Sequence, residues 1–237
     1  MKRVASRLYV GSQADLEALD AQGTSDWPVL LAAKEPYHRE FAGYTTRAAP
    51  DGPTRLWVFK DRRLALNLID GPDPKYVTKA MIDVAISYLD DWLGEPGGKD
   101  RPKLGDTENL LIACNQGGSR APTLAMLYLA PTLPANFEDA YAKFREDAYP
   151  ELDAANGIRE FARIHWPAYR NRLATGGAAQ TSKTDPALDK AQELWREFCR
   201  TFADDPSSAR DQLIASIRTA LQQAANGKWP RADDDSK

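Results

Sequence analysis

Two cysteines and two histidines are all that 237 residues contain. Cys114, Cys199, His38 and His165 stand far apart, and no pair has the spacing of a zinc site. Long apolar runs are missing as well. Met1-Lys2-Arg3-Val4-Ala5-Ser6 is charged, but no apolar stretch of signal-peptide length follows it, and nowhere is there a run long enough for a membrane span. A cytoplasmic location and no membrane partner are expected. Excess positive charge is absent too: 31 Lys and Arg stand against 34 Asp and Glu, a formal net charge of −3. A basic footprint for nucleic acid is therefore not expected. No internal repeat is visible.

What remains is a chain long enough for one domain with a real core plus an appendage. Strand-like runs fall near 7–10, 28–33, 55–59, 63–69 and 109–113. Helical patterns fall near 75–93, 121–130, 137–147 and 157–172; in the first of these Met81, Ile82, Ala85, Leu89 and Trp92 recur at helical spacing. Strands alternating with helices predict an α/β fold, a mainly parallel central sheet flanked by helices, over residues 1–173. Residues 94–108 read as a polar loop with Pro and Gly, long enough to be mobile or to shape the substrate rim. Beyond 173 the texture changes to a linker at 174–185. A two-helix extension follows at 186–230, with Leu188, Ala191, Trp195, Phe198 and Phe202 on one stripe and Leu213, Ile214, Ile217, Leu221 and Ala224 on the other. Two such helices cannot bury both faces alone, so they are expected to pack on the domain, on a second copy or on a partner. The acidic end, 231–237, reads as disordered.

The stretch that carries chemistry is Leu110-Leu111-Ile112-Ala113-Cys114-Asn115-Gln116-Gly117-Gly118-Ser119-Arg120-Ala121-Pro122-Thr123. An apolar strand delivers a cysteine, a glycine-rich loop follows, and an arginine opens an apolar helix. A short loop running into a helix N-terminus points successive backbone N–H groups at one spot, where the dipole also favours negative charge. Asn115, Gln116, Gly117, Gly118, Ser119 and Arg120 are thus the expected phosphate-binding loop. Arg120 offers a planar fork for two phosphate oxygens. Pro122 falls in the first helical turn, where its missing N–H is harmless. Loop, helix and Arg120 together would hold Cys114 as a thiolate able to attack phosphorus in line, giving a phosphocysteine that water then hydrolyses. The plainer alternative is a buried structural cysteine at the end of a core strand. Cys199, in a helical pattern without glycines, is read as that kind of thiol.

These residues resemble the cysteine-dependent protein phosphatases, specifically dual-specificity-like phosphatases of the phage and bacterial type, whose signature is His-Cys-x-x-Gly-x-x-Arg-Ser/Thr. Cys114, Gly117 and Arg120 match it; Ala113 and Ala121 stand where the family has its histidine and hydroxyl residue. Arg7-Leu8-Tyr9-Val10-Gly11-Ser12-Gln13, Leu66-Asn67-Leu68-Ile69-Asp70 and Asn156-Gly157-Ile158 also look like this family, so the resemblance covers about residues 1–170. It implies hydrolysis of phosphate monoesters, on a phosphorylated protein or a small phosphoester, without a cofactor or a metal. It also implies that Ala113 cannot support the thiolate and that Ala121 cannot assist its departure. Ser119 and Thr123 are the nearby hydroxyls that would stand in. A slow enzyme, or a catalytically dead module that binds phosphorylated ligands, follows as the alternative. A rhodanese-like or arsenate-reducing protein would use the same loop without an acid.

The expected general acid is Asp70, which follows the apolar run 64–69 and so sits at the strand edge where ligands of open α/β folds bind. The resemblance points to the same position. Asp73, in Gly71-Pro72-Asp73-Pro74, is the second choice, against its use as a helix cap. Lys34, His38 and Arg39 are candidates for the pocket mouth, with Tyr37 as an aromatic wall, but a polar loop after the strand explains the same residues and is the preferred reading. His165 lies on a helical pattern with Ile158, Phe161 and Trp166 and reads as core or helix surface.

Overall fold

A computed structural model describes residues 1–23, 27–52, 54–60, 62–94, 96 and 109–173. The expected linker at 174–185, two-helix extension at 186–230 and acidic end lie outside the described residues, as does nearly all of the 94–108 loop. One compact unit, Met1–Pro50 with Thr54–Ala179, holds every element described below.

Six strands form one sheet: β1 (Lys2–Ala5), β2 (Leu8–Gly11), β3 (Val29–Leu31), β4 (Trp57–Lys60), β5 (Arg63–Leu66) and β6 (Leu110–Ala113), in the order β1-β2-β6-β3-β5-β4. The four inner strands β2, β6, β3 and β5 pair in parallel, and β1 and β4 close the two edges antiparallel. The fold is the α/β arrangement expected, with helices α1 (Gln13–Ala21), α2 (Arg39–Ala42), α3 (Lys79–Leu93), α4 (Arg120–Tyr128), α5 (Phe137–Asp147) and α6 (Asn156–Arg170) around the sheet. Central parallel strands are covered on both faces and so carry unbroken apolar runs. Accordingly Leu110, Leu111, Ile112 and Ala113 are all fully buried. Helices α1 and α4 pack on β2 and β6, and α3 on β5.

Besides the short helix α2, which falls where a polar loop was expected, three elements differ from the expectation. Helix α1 was not foreseen, because only Leu16 and Leu19 of it are buried and its apolar stripe is faint. Its signal is a capping box instead: the Ser12 hydroxyl accepts from the Asp15 N–H while the Asp15 carboxylate accepts from the Ser12 N–H. Strand β1 was missed because its Lys2-Arg3 start is exposed and its pairing with β2 is tertiary. The helix expected from 75 begins at Lys79, capped by Thr78, since Pro74–Tyr76 forms a separate short turn.

Parallel strands align their C-terminal ends along one edge. Gly11, Leu31, Leu66 and Ala113 end there, so the residues that follow each strand are brought together.

Candidate active site

Cys114 leaves β6 at that edge, 1% exposed, its N–H donating to the Gly11 carbonyl at 3.2 Å. The chain then turns through 115–119 and enters α4 at Arg120. Gly117 takes a φ of +77°, and a Cβ there would stand 3.1 Å from the Gly11 carbonyl carbon. Only glycine satisfies both conditions. The loop carbonyls are turned outward: Asn115 O accepts from the Gln13 N–H at 3.2 Å and Gly118 O from the Asp153 N–H at 2.8 Å. Among the described residues, the N–H groups of 116–119 donate to no backbone carbonyl. The first N–H groups of α4 are likewise without intrahelical partners, as in any helix. Ser119 precedes α4 but makes no capping bond to them. The loop thus brings a run of N–H groups without backbone acceptors to a helix N-terminus, where the dipole favours negative charge. Gln116 contributes backbone to this run while its side chain is exposed.

Arg120 is 8% exposed and held from two sides. One terminal nitrogen donates to the Leu68 carbonyl at 3.2 Å and the other to Asn115 Oδ1 at 2.8 Å. Asn115 in turn donates from Nδ2 to the Glu35 carbonyl at 2.9 Å. Its side chain therefore orients the guanidinium. Arg120 Nε lies 3.5 Å from Asp70 Oδ2 and makes no hydrogen bond among the described residues.

The two aspartates considered for the acid have separate positions. Asp70 lies beyond the end of β5, a third exposed, and accepts from Ser119 Oγ at 2.8 Å on Oδ1. Ser119 Oγ also accepts from the Ala155 N–H at 3.0 Å, so one hydroxyl joins the 115–119 loop, Asp70 and the segment before α6. Asp73 instead caps Pro74–Tyr76, accepting from the Lys75 N–H at 2.9 Å and pairing with Lys75 Nζ at 2.7 Å. Its hydrogen bonds to Lys75 hold its carboxyl below the usual range. The loop between them is pinned at Gly157, whose N–H donates to Gly71 O at 3.1 Å. A Cβ on Gly157 would fall 2.4 Å from that oxygen.

The hydroxyls expected to replace the one missing after Arg120 are committed elsewhere. Ser119 serves Asp70, and buried Thr123 donates to the Ser119 carbonyl at 2.7 Å. Ala113 and Ala121, both fully buried, present only methyl groups. Two phenols are buried near the loop. Burial above all pushes Tyr37 up, and burial with the Glu151 charge pushes Tyr149 up to about 12. Both stay protonated at neutral pH, and the Tyr37 hydroxyl has no hydrogen-bond partner among the described residues.

Beside this loop is a cleft of about 380 Å³, lined by Lys34, Glu35, Arg39, Arg47, Leu68, Ile69, Asp70, Asn115 and Arg120. Lys34 and Arg39 thus line the cleft, whereas His38 and Tyr37 do not. His38 is fully buried between the Tyr44 hydroxyl at 3.1 Å from Nδ1 and the Thr54 carbonyl at 2.8 Å from Nε2. The carbonyl can only accept, so Nε2 carries the proton and Nδ1 accepts from Tyr44. Tyr37, 6% exposed, is core and not a wall. His165 stacks on Phe161, ring centroids 4.4 Å apart, on the flank of α6. Cys199 lies outside the described residues. Arg47 was not anticipated, because nothing in its loop sequence marks it; only the fold brings it to the cleft.

No protein-family model and no curated protein matches the chain. In structure it is similar to DUSP15, with a TM-score of 0.47 and 17% identity over 74% of this chain and 96% of that one. It is also similar to the PTP-2 phosphatase of Cydia pomonella, with a TM-score of 0.43 and 19% identity over 69% of this chain and 88% of that one.

Proposed function

We propose that this chain is a cysteine-dependent phosphatase that hydrolyses phosphate monoesters through a phosphocysteine on Cys114. The observation that carries the reading is the convergence of a buried cysteine, a loop of outward carbonyls with free N–H groups, a buried arginine and a carboxylate 3.5 Å from that arginine. In the first step Cys114 Sγ, as thiolate, attacks phosphorus; the S–P bond forms as the bond to the leaving oxygen breaks, and protonated Asp70 gives its proton to that oxygen. Arg120 and the N–H groups of 116–121, Pro122 having none to offer, bind the three non-bridging oxygens, whose charge they meet best in the transition state. In the second step Asp70, now ionised, takes a proton from water as its oxygen attacks phosphorus. The S–P bond breaks, inorganic phosphate leaves and the thiolate returns. A compartment that keeps thiols reduced suits such a nucleophile, in line with a cytoplasmic protein.

The test is hydrolysis of p-nitrophenyl phosphate without added metal. Wild type turns it over, and Cys114→Ser abolishes turnover, because a hydroxyl without a neighbouring base is a poor nucleophile. Unchanged activity in Cys114→Ser overturns the mechanism. A second reading, binding of phosphorylated ligands with little turnover, draws on the two methyl groups at Ala113 and Ala121 and the commitment of Ser119 and Thr123 to other partners. It is favoured if wild type binds a phosphopeptide yet releases no phosphate.

A further inference from the structure

The cleft beside the phosphate loop has an uneven charge distribution. Four cations line it, Lys34, Arg39, Arg47 and Arg120, in a chain whose net charge is −3. Two of them are matched. Arg39 pairs with Glu35 at 2.6 Å, and Arg120 faces Asp70 at 3.5 Å. The other two have no carboxylate partner among the described residues. Lys34 Nζ donates to the Arg47 carbonyl, which fixes the Arg47 backbone at the rim, and the Arg47 guanidinium is exposed and makes no hydrogen bond or ion pair among the described residues. Lys34, Arg39 and Arg47 all come from the segment after β3, the strand beside β6, and Asn115 ties that segment to the loop through the Glu35 carbonyl. The excess charge is therefore built into the wall of the phosphate site.

From this we infer that the substrate is a phosphopeptide carrying a second anionic group, a carboxylate or a phosphate, next to the phosphorylated residue, and that Arg47 with Lys34 receives it. The inference rests on the phosphatase reading for its first phosphate. A guanidinium held at a rim offers a bidentate fork to either anion. The same wall argues against a clustered polyanion such as an inositol polyphosphate. Glu35 lies in the same wall, and its carboxylate, paired with Arg39, adds negative charge that disfavours densely packed phosphates. Ile69, 37% exposed, gives the cleft an apolar strip beside Asp70 for the carbon atoms of the phosphorylated residue.

The experiment compares phosphotyrosine peptides identical except for one neighbour: glutamate, phosphoserine or alanine. For wild type, kcat/KM is expected to be about tenfold higher for the two anionic peptides, the gain lying in KM and shrinking with added salt. In Arg47→Ala the ratio between anionic and neutral peptides falls to within about twofold of one, and Arg47→Lys recovers part of it because the charge returns without the fork. Equal kinetics for the three peptides in wild type, or a ratio that survives Arg47→Ala, overturns the inference while Cys114-dependent hydrolysis of p-nitrophenyl phosphate leaves the phosphatase reading standing. An equally strong, Arg47-dependent preference for an inositol bisphosphate overturns the peptide assignment. If no substrate is turned over, the phosphatase reading falls, and affinities of Cys114→Ser for the same peptides decide the second-anion site by the same ratios.

Discussion

The two sides of the phosphate loop are built on opposite principles. Towards β2 and α6 it is closed by backbone: Gly117 lies against Gly11, Gly118 O binds the Asp153 N–H, and the Ser119 hydroxyl accepts from Ala155. Towards β3 and β5 it is open and faces long charged side chains, Lys34, Arg39, Arg47 and Asp70. Contacts between backbones leave no freedom and fix where the N–H donors point. Side chains on an open rim can exchange partners when a ligand arrives. In the proposed phosphatase the closed side would set the geometry of the chemistry, and the open side which molecule is admitted.

The largest effect is expected where the closed side is forced apart. Gly157→Ala puts a Cβ 2.4 Å from Gly71 O, against backbone that cannot swing away. It should destabilise the chain by about 3 kcal/mol and displace the Asp70 loop. Denaturant midpoints report the first effect and turnover of poor-leaving-group substrates the second; an unchanged midpoint would show that the loop is free to move.

Next comes the division of labour between two aspartates three residues apart. Asp70→Asn should slow turnover of alkyl phosphates about a hundredfold, and aryl phosphates with good leaving groups much less. Asp73→Asn should leave both rates within about twofold of wild type, since its carboxylate is spent on Lys75. A leaving-group series run on both variants checks the assignment, and the reverse pattern would exchange the two roles.

Ser119 joins the two sides, and its effect should be smaller. Ser119→Ala removes the donor to Asp70 Oδ1 and the acceptor for the Ala155 N–H. A loss of about tenfold is expected with poor leaving groups, little with good ones, and Ser119→Thr should keep most of the activity. Equal losses on all substrates would mean that Ser119 shapes the loop instead of positioning the acid.

The smallest effect concerns pH and the open side. Burial holds His38 below its ordinary value, so the fold favours the neutral ring. The unfolded chain binds the proton more readily, and the stability this gives is full above the ordinary histidine pKa of about 6.5 and is lost as the pH falls below it. Thermal melts between about pH 7 and pH 5 should show a decline that is shallower in His38→Gln, whose amide does not titrate in that range. Parallel slopes in the two proteins would remove His38 as a source.

Much of this was legible in order of residues. A strand read from Leu110 to Ala113, a glycine loop and an arginine at a helix start is a local pattern, and local patterns follow from spacing and propensity. Asp70 could be placed at the sheet edge because an apolar run ends just before it. The choice between Asp70 and Asp73 was not available there, since both follow the same run and both suit a cap. It depends on Gly157 and Ser119, which lie far along the chain and press or bond against that loop. Likewise His38 looked like a pocket residue because polarity in sequence marks surface, while the partners that satisfy it when buried, Tyr44 and Thr54, are set by how the chain returns.

By itself, then, the sequence determined the α/β alternation and the placing of the cysteine, the arginine and the loop between them that the proposed chemistry uses, because each is written within a few consecutive residues and their hydrogen-bond and packing periods. Only the tertiary structure decided which aspartate meets Arg120, that the Ser119 and Thr123 hydroxyls are already engaged, and that Arg47 stands at the cleft. Those relations join segments from separate strands, and parallel pairing fixes them by aligning the strand ends at one edge.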